Sequence, residues 1–272
     1  MFENVESQGV PMGSVVLYHN DMSVCAAKVR MALAEKKIVW DGVHLNLRAG
    51  DAQKPEYVRL NPGKVVPTLV HDGVPIIESN VIIEYLEDAW SQPALRPPSA
   101  LGKARMRLWM KQLDETVHAA TIAVSTCVAF RHQHLKRASL DYQNWLANLE
   151  PARRENARLA VELGMDAPQF GTALMRLRQL VADMDKALEG GPWLAGEAFS
   201  LADIAYAPYV TRLTHLGLDD MVKARPRVSD WQGRLFARPS YAESNVNWFN
   251  PKYLEIFAGQ SDAAREKAKT IA

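Results

Sequence analysis

Two cysteines, Cys25 and Cys127, are too few to build a disulfide framework and point to a reducing compartment. Charge of one sign is missing too. The 32 Lys and Arg residues face 31 Asp and Glu, a formal net of +1, which argues against nucleic acid or any other polyanionic partner. No run approaches the roughly 18–20 apolar residues that cross a bilayer. The opening Met1–Ser14 carries Glu3 and Glu6 where a signal peptide needs an apolar stretch. Internal repeats and low-complexity tracts are absent as well. These absences point to a soluble, cytoplasmic protein with no membrane partner. A length of 272 residues exceeds the usual single domain, so one large or two modest domains are expected.

The first ninety residues read as short alternating elements. Val15 to Tyr18 is a β-prone run. Cys25 to Lys36 has helical spacing, with Ala26, Val29 and Leu33 on one face and Lys28, Glu35 and Lys36 off it. Val43, Leu45 and Leu47 alternate with polar residues, the period of a half-buried strand. Thr68–Val70 and Val74–Ile77 flank His71-Asp72-Gly73, and Asp-Gly between apolar runs predicts a hairpin. Asn80 to Trp90 is helical again. The order β-α-β, a connecting segment, then β-β-α calls for a mixed sheet with helices on its faces.

The prolines at 93, 97 and 98 then break the pattern, and the stretch from Ser91 to Ser99 reads as an interdomain linker. Beyond it the chain is helical. Met106, Met110, Leu113, Val117 and Ala120 fall at helical steps, as do Leu174, Leu177, Val181, Met184 and Leu188, and both stripes are read as bundle core. Lys136 to Pro168 is charged and weakly periodic. The polar stretch from Ser261 to Ala272 reads as frayed or loosely packed.

Three short motifs carry chemistry. Met22-Ser23-Val24-Cys25 stands where the first strand's loop enters the first helix. A helix N-terminus has unpaired N–H groups and partial positive charge, and so favours a thiolate. A serine hydroxyl there could donate to that thiolate, although Ser is also a common N-cap. In Asn61-Pro62-Gly63-Lys64-Val65-Val66-Pro67, Pro67 precedes a strand and suits a turn, in cis or as an ordinary edge-strand proline. A cis bond would turn the N–H and C=O of Val66 outward, toward an extended peptide ligand. Glu78-Ser79-Asn80 opens another helix, where a carboxylate and a hydroxyl could hold the ammonium and carboxylate of a γ-glutamyl group. A fourth segment, Trp193-Leu194-Ala195-Gly196 followed by Phe199-Ser200-Leu201-Ala202-Asp203, has a capping-box arrangement with Asp in place of Glu, and its role is folding.

In this order the motifs resemble the cytosolic glutathione transferase superfamily, serine type, with an active-site motif similar to the zeta class. Pro226-x-Val228-x-x-Trp231 and Ala237-Arg238-Pro239-Ser240 resemble the family's closing helix, so the resemblance spans roughly residues 14–250. It implies α/β plus all-α architecture: a thioredoxin-like glutathione-binding domain over 14–91, an all-helical substrate-binding domain over 102–250, and a C-terminal tail over 251–272. Ser23 would be the thiolate-stabilising hydroxyl. Val66, with Pro67 in cis, would pair with the cysteinyl part of glutathione, and Glu78 and Ser79 would hold its γ-glutamyl end. Lys64 and Gln53 or Lys54 would lie near the glycyl carboxylate. The resemblance further implies a homodimer, glutathione as co-substrate, and a small hydrophobic electrophile as second substrate.

Segments around Glu78, Arg96-Pro97 and Arg105–Glu115 resemble bacterial glutathione-dependent β-aryl etherases. Those around Asn20–Cys25 and Tyr57–Leu69 resemble tetrachlorohydroquinone reductive dehalogenases as well. Cys25 therefore has two readings. It is a small residue at the second helical position, or a thiol that clears the glutathione adduct in a dehalogenase-like or thiol-exchange cycle. A non-catalytic binding module on the same scaffold is a third possibility, against which the retention of Ser23, Pro67, Glu78 and Ser79 argues. No metal site is expected. His132 and His134 are two apart and diverge on a helix, and His19, His44, His71 and His118 have no ligand-like spacing.

Overall fold

The β-prone run at Val15 becomes the spine of a four-stranded sheet. In the computed structural model, which describes residues 13–271, β1 (Val15–His19) is parallel to β2 (Asp41–His44) and antiparallel to β3 (Thr68–His71). The antiparallel β4 (Val74–Ile76) completes the order β2-β1-β3-β4. Most of the segment read against a signal peptide, and Ala272 at the far end, lie outside the described residues. The hairpin forms where Asp-Gly predicts it: Asp72 (φ 50°) and Gly73 (φ 79°) both take the left-handed conformation of a type I′ turn.

The second strand departs from expectation. It ends at His44 because its partner β1 ends at His19. Leu45 then turns its N–H onto the His19 carbonyl (2.8 Å) and buries its side chain with Ala52, Tyr57 and Val66, while Leu47 is exposed.

The helix α1 (Val24–Lys36) crosses one face of this sheet. Its apolar face is buried as expected, but Lys28, Arg30 and Lys36 are buried too. An amphipathic reading assumes that one side meets water. Here the second side is covered by helices of the C-terminal half, α10 (Leu201–His215) and α13 (Pro239–Ser244). A short α2 (Pro55–Val58) and α3 (Ser79–Ala89) complete the sheet-bearing part.

After the linker, Ser99 caps a long rod. The helix α4 (Ala100–Gln112), a π-turn at Leu113–Val117, α5 (His118–Ser125), a second π-turn at Thr126–Phe130 and α6 (Arg131–Leu135) follow one another without a break. Both apolar stripes are core. Met106, Leu113 and Val117 of the first are fully buried, as are Leu174 and Met184 of the second on α9 (Pro168–Ala187). The charged segment before α9 forms α7 (Ser139–Ala147) and α8 (Pro151–Leu163).

Residues 261–269, read as frayed, form part of a helix. After α11 (Asp220–Lys223) and α12 (Pro226–Phe236), Asn250 caps α14 (Pro251–Lys269), and Phe257 and Ala264 anchor it in the core. Tyr253, Leu254 and Ile256 pack beside Phe257, but over residues 261–269 only Ala264 and Ala268 meet the core, too sparse a stripe to stand out in sequence.

The capping box forms at the start of α10, and Asp203 does more there than cap. One Oδ accepts from the Ser200 N–H (2.9 Å); the other accepts from the Leu194 N–H (2.9 Å) and the Trp231 indole (2.8 Å), all buried. Removing the carboxylate strands several buried donors at about 1–3 kcal/mol each. Asp203→Ala is expected to lower stability by about 3–5 kcal/mol in urea unfolding. A loss under 1 kcal/mol would mean the three donors find other partners.

Candidate active site

The loop from Asn20 to Ser23 carries the first motif, and two buried arginines fix its path. Arg30 donates from its Nη atoms to the carbonyls of Asn20 and Asp21 (3.1 Å each) and from Nε to Ser244 O (2.8 Å). Arg212, on α10, donates from Nη2 to Met22 O (2.7 Å) and lies over the rings of Phe130 and Phe257. Burial pushes Arg30 down to about 9 and Arg212 to about 10, so both stay charged at neutral pH. Three successive carbonyls are thus held, and Ser23 follows at a set angle.

Ser23 is the N-cap of α1, its Oγ accepting from the Ala26 N–H (3.2 Å). That bond uses a lone pair and leaves the hydroxyl proton free to donate, so capping and thiolate stabilisation are compatible.

Two residues on, Cys25 is half-buried and faces the helical part of the molecule. Its Sγ lies 3.7 Å from His118 Nδ1 and 3.6 Å from the Tyr209 hydroxyl, and those two groups are 2.9 Å apart. Burial alone would push the thiol up. The bond to His118, the Lys28 ammonium, the His118 charge and the Tyr209 bond outweigh it and bring Cys25 down to about 6. Burial also works against charge on His118, yet the bond to Cys25 raises it. Lys28 is fully buried and donates to Asn80 Oδ1 (2.8 Å), whose amide donates to Met110 O (3.0 Å). Cys127 behaves differently: burial pushes it up to about 12, an inert core thiol.

The other expected positions fall into three groups. The Val66–Pro67 bond is cis, and β3 begins only at Thr68, so the backbone of Val66 stands outside the ladder. Glu78 is exposed at the N-cap of α3 with a left-handed φ of 66°, a conformation uncommon for a non-glycine residue. Ser79 is the first residue of the helix and is not its cap. Gln53 lines a groove of about 650 Å³ with Arg48, Gln133, Arg137 and Trp145, within the size range of small-molecule sites. Lys54 is largely exposed and paired with Asp51 (2.7 Å), and Lys64 is exposed in a turn.

His118 and Tyr209 were missed in sequence. Histidine spacing tests His118 only as a metal ligand, and Tyr209 carries no local signal. The run Arg131–Arg137 faces solvent only in part. His134 is buried against Trp145 and accepts from Arg48 Nη1 (2.7 Å).

Comparison with known proteins agrees with this architecture. Residues 22–89 match the model of the glutathione S-transferase N-terminal domain, and residues 143–234 match that of the C-terminal domain. The chain is 29% identical to the 2,5-dichlorohydroquinone reductive dechlorinase of Sphingobium indicum, over 85% of this chain and 82% of that protein. It is 28% identical to the tetrachloro-p-hydroquinone reductive dehalogenase of Sphingobium chlorophenolicum, over 87% and 98%. The crystal structure of the beta-etherase LigF from Sphingobium sp. strain SYK-6 superposes with a TM-score of 0.77 at 25% identity, covering 85% of this chain and 98% of that one. With both domains matched in order on a sheet-then-helices architecture, this chain belongs to the glutathione S-transferase family.

Proposed function

We propose that this protein is a glutathione-dependent reductive dehalogenase of small aromatic substrates, working through two thiols in turn. The observation that carries this reading is the ionisable Cys25, set two residues after Ser23 and in contact with His118 and Tyr209. Glutathione lies along the cleft with its cysteinyl backbone on Val66 and its thiolate at the Ser23 hydroxyl. Its γ-glutamyl end rests on Glu78 and Ser79, where the α3 N-terminus favours a carboxylate. Its glycyl carboxylate points toward Gln53 and Lys64. Lys54, already paired with Asp51, contributes least.

In the first step the glutathione thiolate displaces halide from the activated ring and a carbon–sulfur bond forms. In the second, the Cys25 thiolate attacks the glutathionyl sulfur. The carbon–sulfur bond breaks, its electron pair returns to the ring carbon and is protonated, and Cys25 carries a mixed disulfide with glutathione. A second glutathione thiolate then takes the glutathionyl group and frees Cys25. One halogen is exchanged for hydrogen, two glutathiones become one glutathione disulfide, and hydrogen halide is released.

A second reading, β-aryl ether cleavage, is favoured by the superposition on LigF. It needs only the first attack, with a phenolate as leaving group. Incubation with glutathione and either a chlorinated hydroquinone or a β-aryl ether, with products read by mass, separates the two. Dechlorinated product and glutathione disulfide in equal amounts are expected. Ether cleavage without any disulfide would replace this reading with the second.

A further inference from the structure

Cys25 sits at the second position of α1, where the helix dipole and Ser23 are the usual source of thiolate stabilisation. The side chains that touch its sulfur come from elsewhere. His118 begins α5 directly after the Leu113–Val117 π-turn, and its own N–H closes that turn on Leu113 O. An i→i+5 turn holds one residue more than an α turn, so the residues after it face about 100° away from where an unbroken helix would aim them. Interruptions of this kind inside a helix often mark functional positions. Here the interruption delivers an imidazole from the helical half to a sulfur on the sheet-bearing half. Tyr209 arrives from α10, one turn before the Arg212 that holds the active-site loop.

We propose that His118, assisted by Tyr209, is the acceptor of the Cys25 proton and holds the thiolate as half of an ion pair joining the two halves of the molecule. This deepens the reading in which Cys25 takes part, and rests on it for its catalytic meaning. One proton leaves Sγ and one arrives at His118 Nδ1, either directly or through Tyr209. In the second route the phenol oxygen accepts the thiol proton while its own hydroxyl proton passes to the imidazole. Burial holds the acidity of Tyr209 far below that of a free phenol, so it hands protons on and does not keep a charge. The pair is needed twice in the cycle, when Cys25 attacks and when it leaves the mixed disulfide as a thiolate. His118 and Tyr209 are thus positioning residues acting through Cys25.

The surrounding charges leave room for this assignment. Lys28 of α1 also faces the sulfur, but it is held by Asn80 and its buried ammonium is offset by Asp114 in the π-turn and Glu78 before α3. Tyr206 is the further titratable neighbour of Tyr209 on α10. Lys28 contributes field only, whereas His118 and Tyr209 supply the contacts.

Cys25 ionisation can be read without any substrate, from thiolate absorbance near 240 nm across pH, because Cys127 stays protonated in the core. The wild-type midpoint is expected at about 6. His118→Gln should carry it above pH 8, cutting the thiolate present at pH 7 roughly thirtyfold, as the thiol returns to its ordinary range near 8.5. Tyr209→Phe should move it part of the way. Absorbance is the better readout, since alkylation rates partly mask the change: a more basic thiolate is also the stronger nucleophile. An unchanged midpoint in folded His118→Gln overturns the proposal. Should that variant not fold, an unchanged midpoint in Tyr209→Phe together with unchanged His118 titration by NMR in the wild type and in Cys25→Ser overturns it. A shifted midpoint in a protein that dehalogenates nothing would leave this assignment standing and sink the proposed function alone.

Discussion

Cys25→Ser halts the proposed cycle after its first half, with a glutathionylated aromatic accumulating in place of the dehalogenated product. The reason is chemical more than energetic. A serine oxygen cannot take up a glutathionyl sulfur as a disulfide, and an aliphatic hydroxyl is far too weak an acid for His118 to ionise. Ser23 and the glutathione cleft are untouched, so halide release and consumption of the first glutathione continue. Dehalogenated product and glutathione disulfide both vanish. Time-resolved mass spectrometry reads the adduct, the dehalogenated product and the glutathione disulfide in one experiment. In wild type, the thiolate is the reactive form, so the second step should rise with pH through about 6 and level off above it. Normal dehalogenated product from Cys25→Ser would remove Cys25 from the mechanism, and retained ether cleavage ending at the glutathione thioether, with no disulfide formed, would favour the etherase reading.

Ser23→Ala attacks the first half. On the proposed reading the variant loses a hydroxyl that donates to the glutathione thiolate, a bond worth roughly 1.5–3 kcal/mol when one partner is charged. Turnover at neutral pH is expected to fall about ten- to a hundredfold. Glutathione must then ionise unaided, near the free-thiol pKa of about 8.5, so raising the pH from 7 to 9 should recover part of the loss. Loss of the bond to the Ala26 N–H adds a separate cost of about 1 kcal/mol in stability from the missing cap. The two effects separate cleanly, since only the catalytic one is relieved by pH. Full activity in Ser23→Ala, combined with complete loss in Cys25→Ser, would place the protein among enzymes that depend on the cysteine alone.

What could be read from the sequence follows from how local each signal is. The Asp72-Gly73 turn, the Ser23 cap, the Ser200–Asp203 box and the two bundle stripes depend on residues a few positions apart, and each stands in the structure where its pattern put it. The Val66–Pro67 motif was legible through its resemblance to a family, and a proline before a strand leaves few alternatives. The partners of Cys25 were illegible because they lie 93 and 184 residues away along the chain, brought in by helix packing that no periodicity encodes. His118 was hidden further by the π-turn, which re-aims it after a stripe that reads as regular helix. The buried Lys28 and Lys36 depart from the expected exposed face for a related reason: a helix covered on both sides keeps the sequence of one covered on a single side, with its charges met by an amide, carbonyls and the Glu87 carboxylate instead of water.

The loop that carries Ser23 is tied at three carbonyls to two guanidiniums, one from each half of the molecule. Its shape is therefore settled before any ligand arrives, and glutathione need not spend binding free energy on ordering it. It also means that neither half holds the Ser23 loop by itself. Cut at the linker, the sheet-bearing piece would keep Ser23 and Cys25 in sequence but lose the Arg212 tether, the imidazole and the phenol. On the proposed reading the catalytic unit is the seam between the halves, and an engineer exchanging one half for a relative's would have to carry across Arg212, Tyr209 and His118 together.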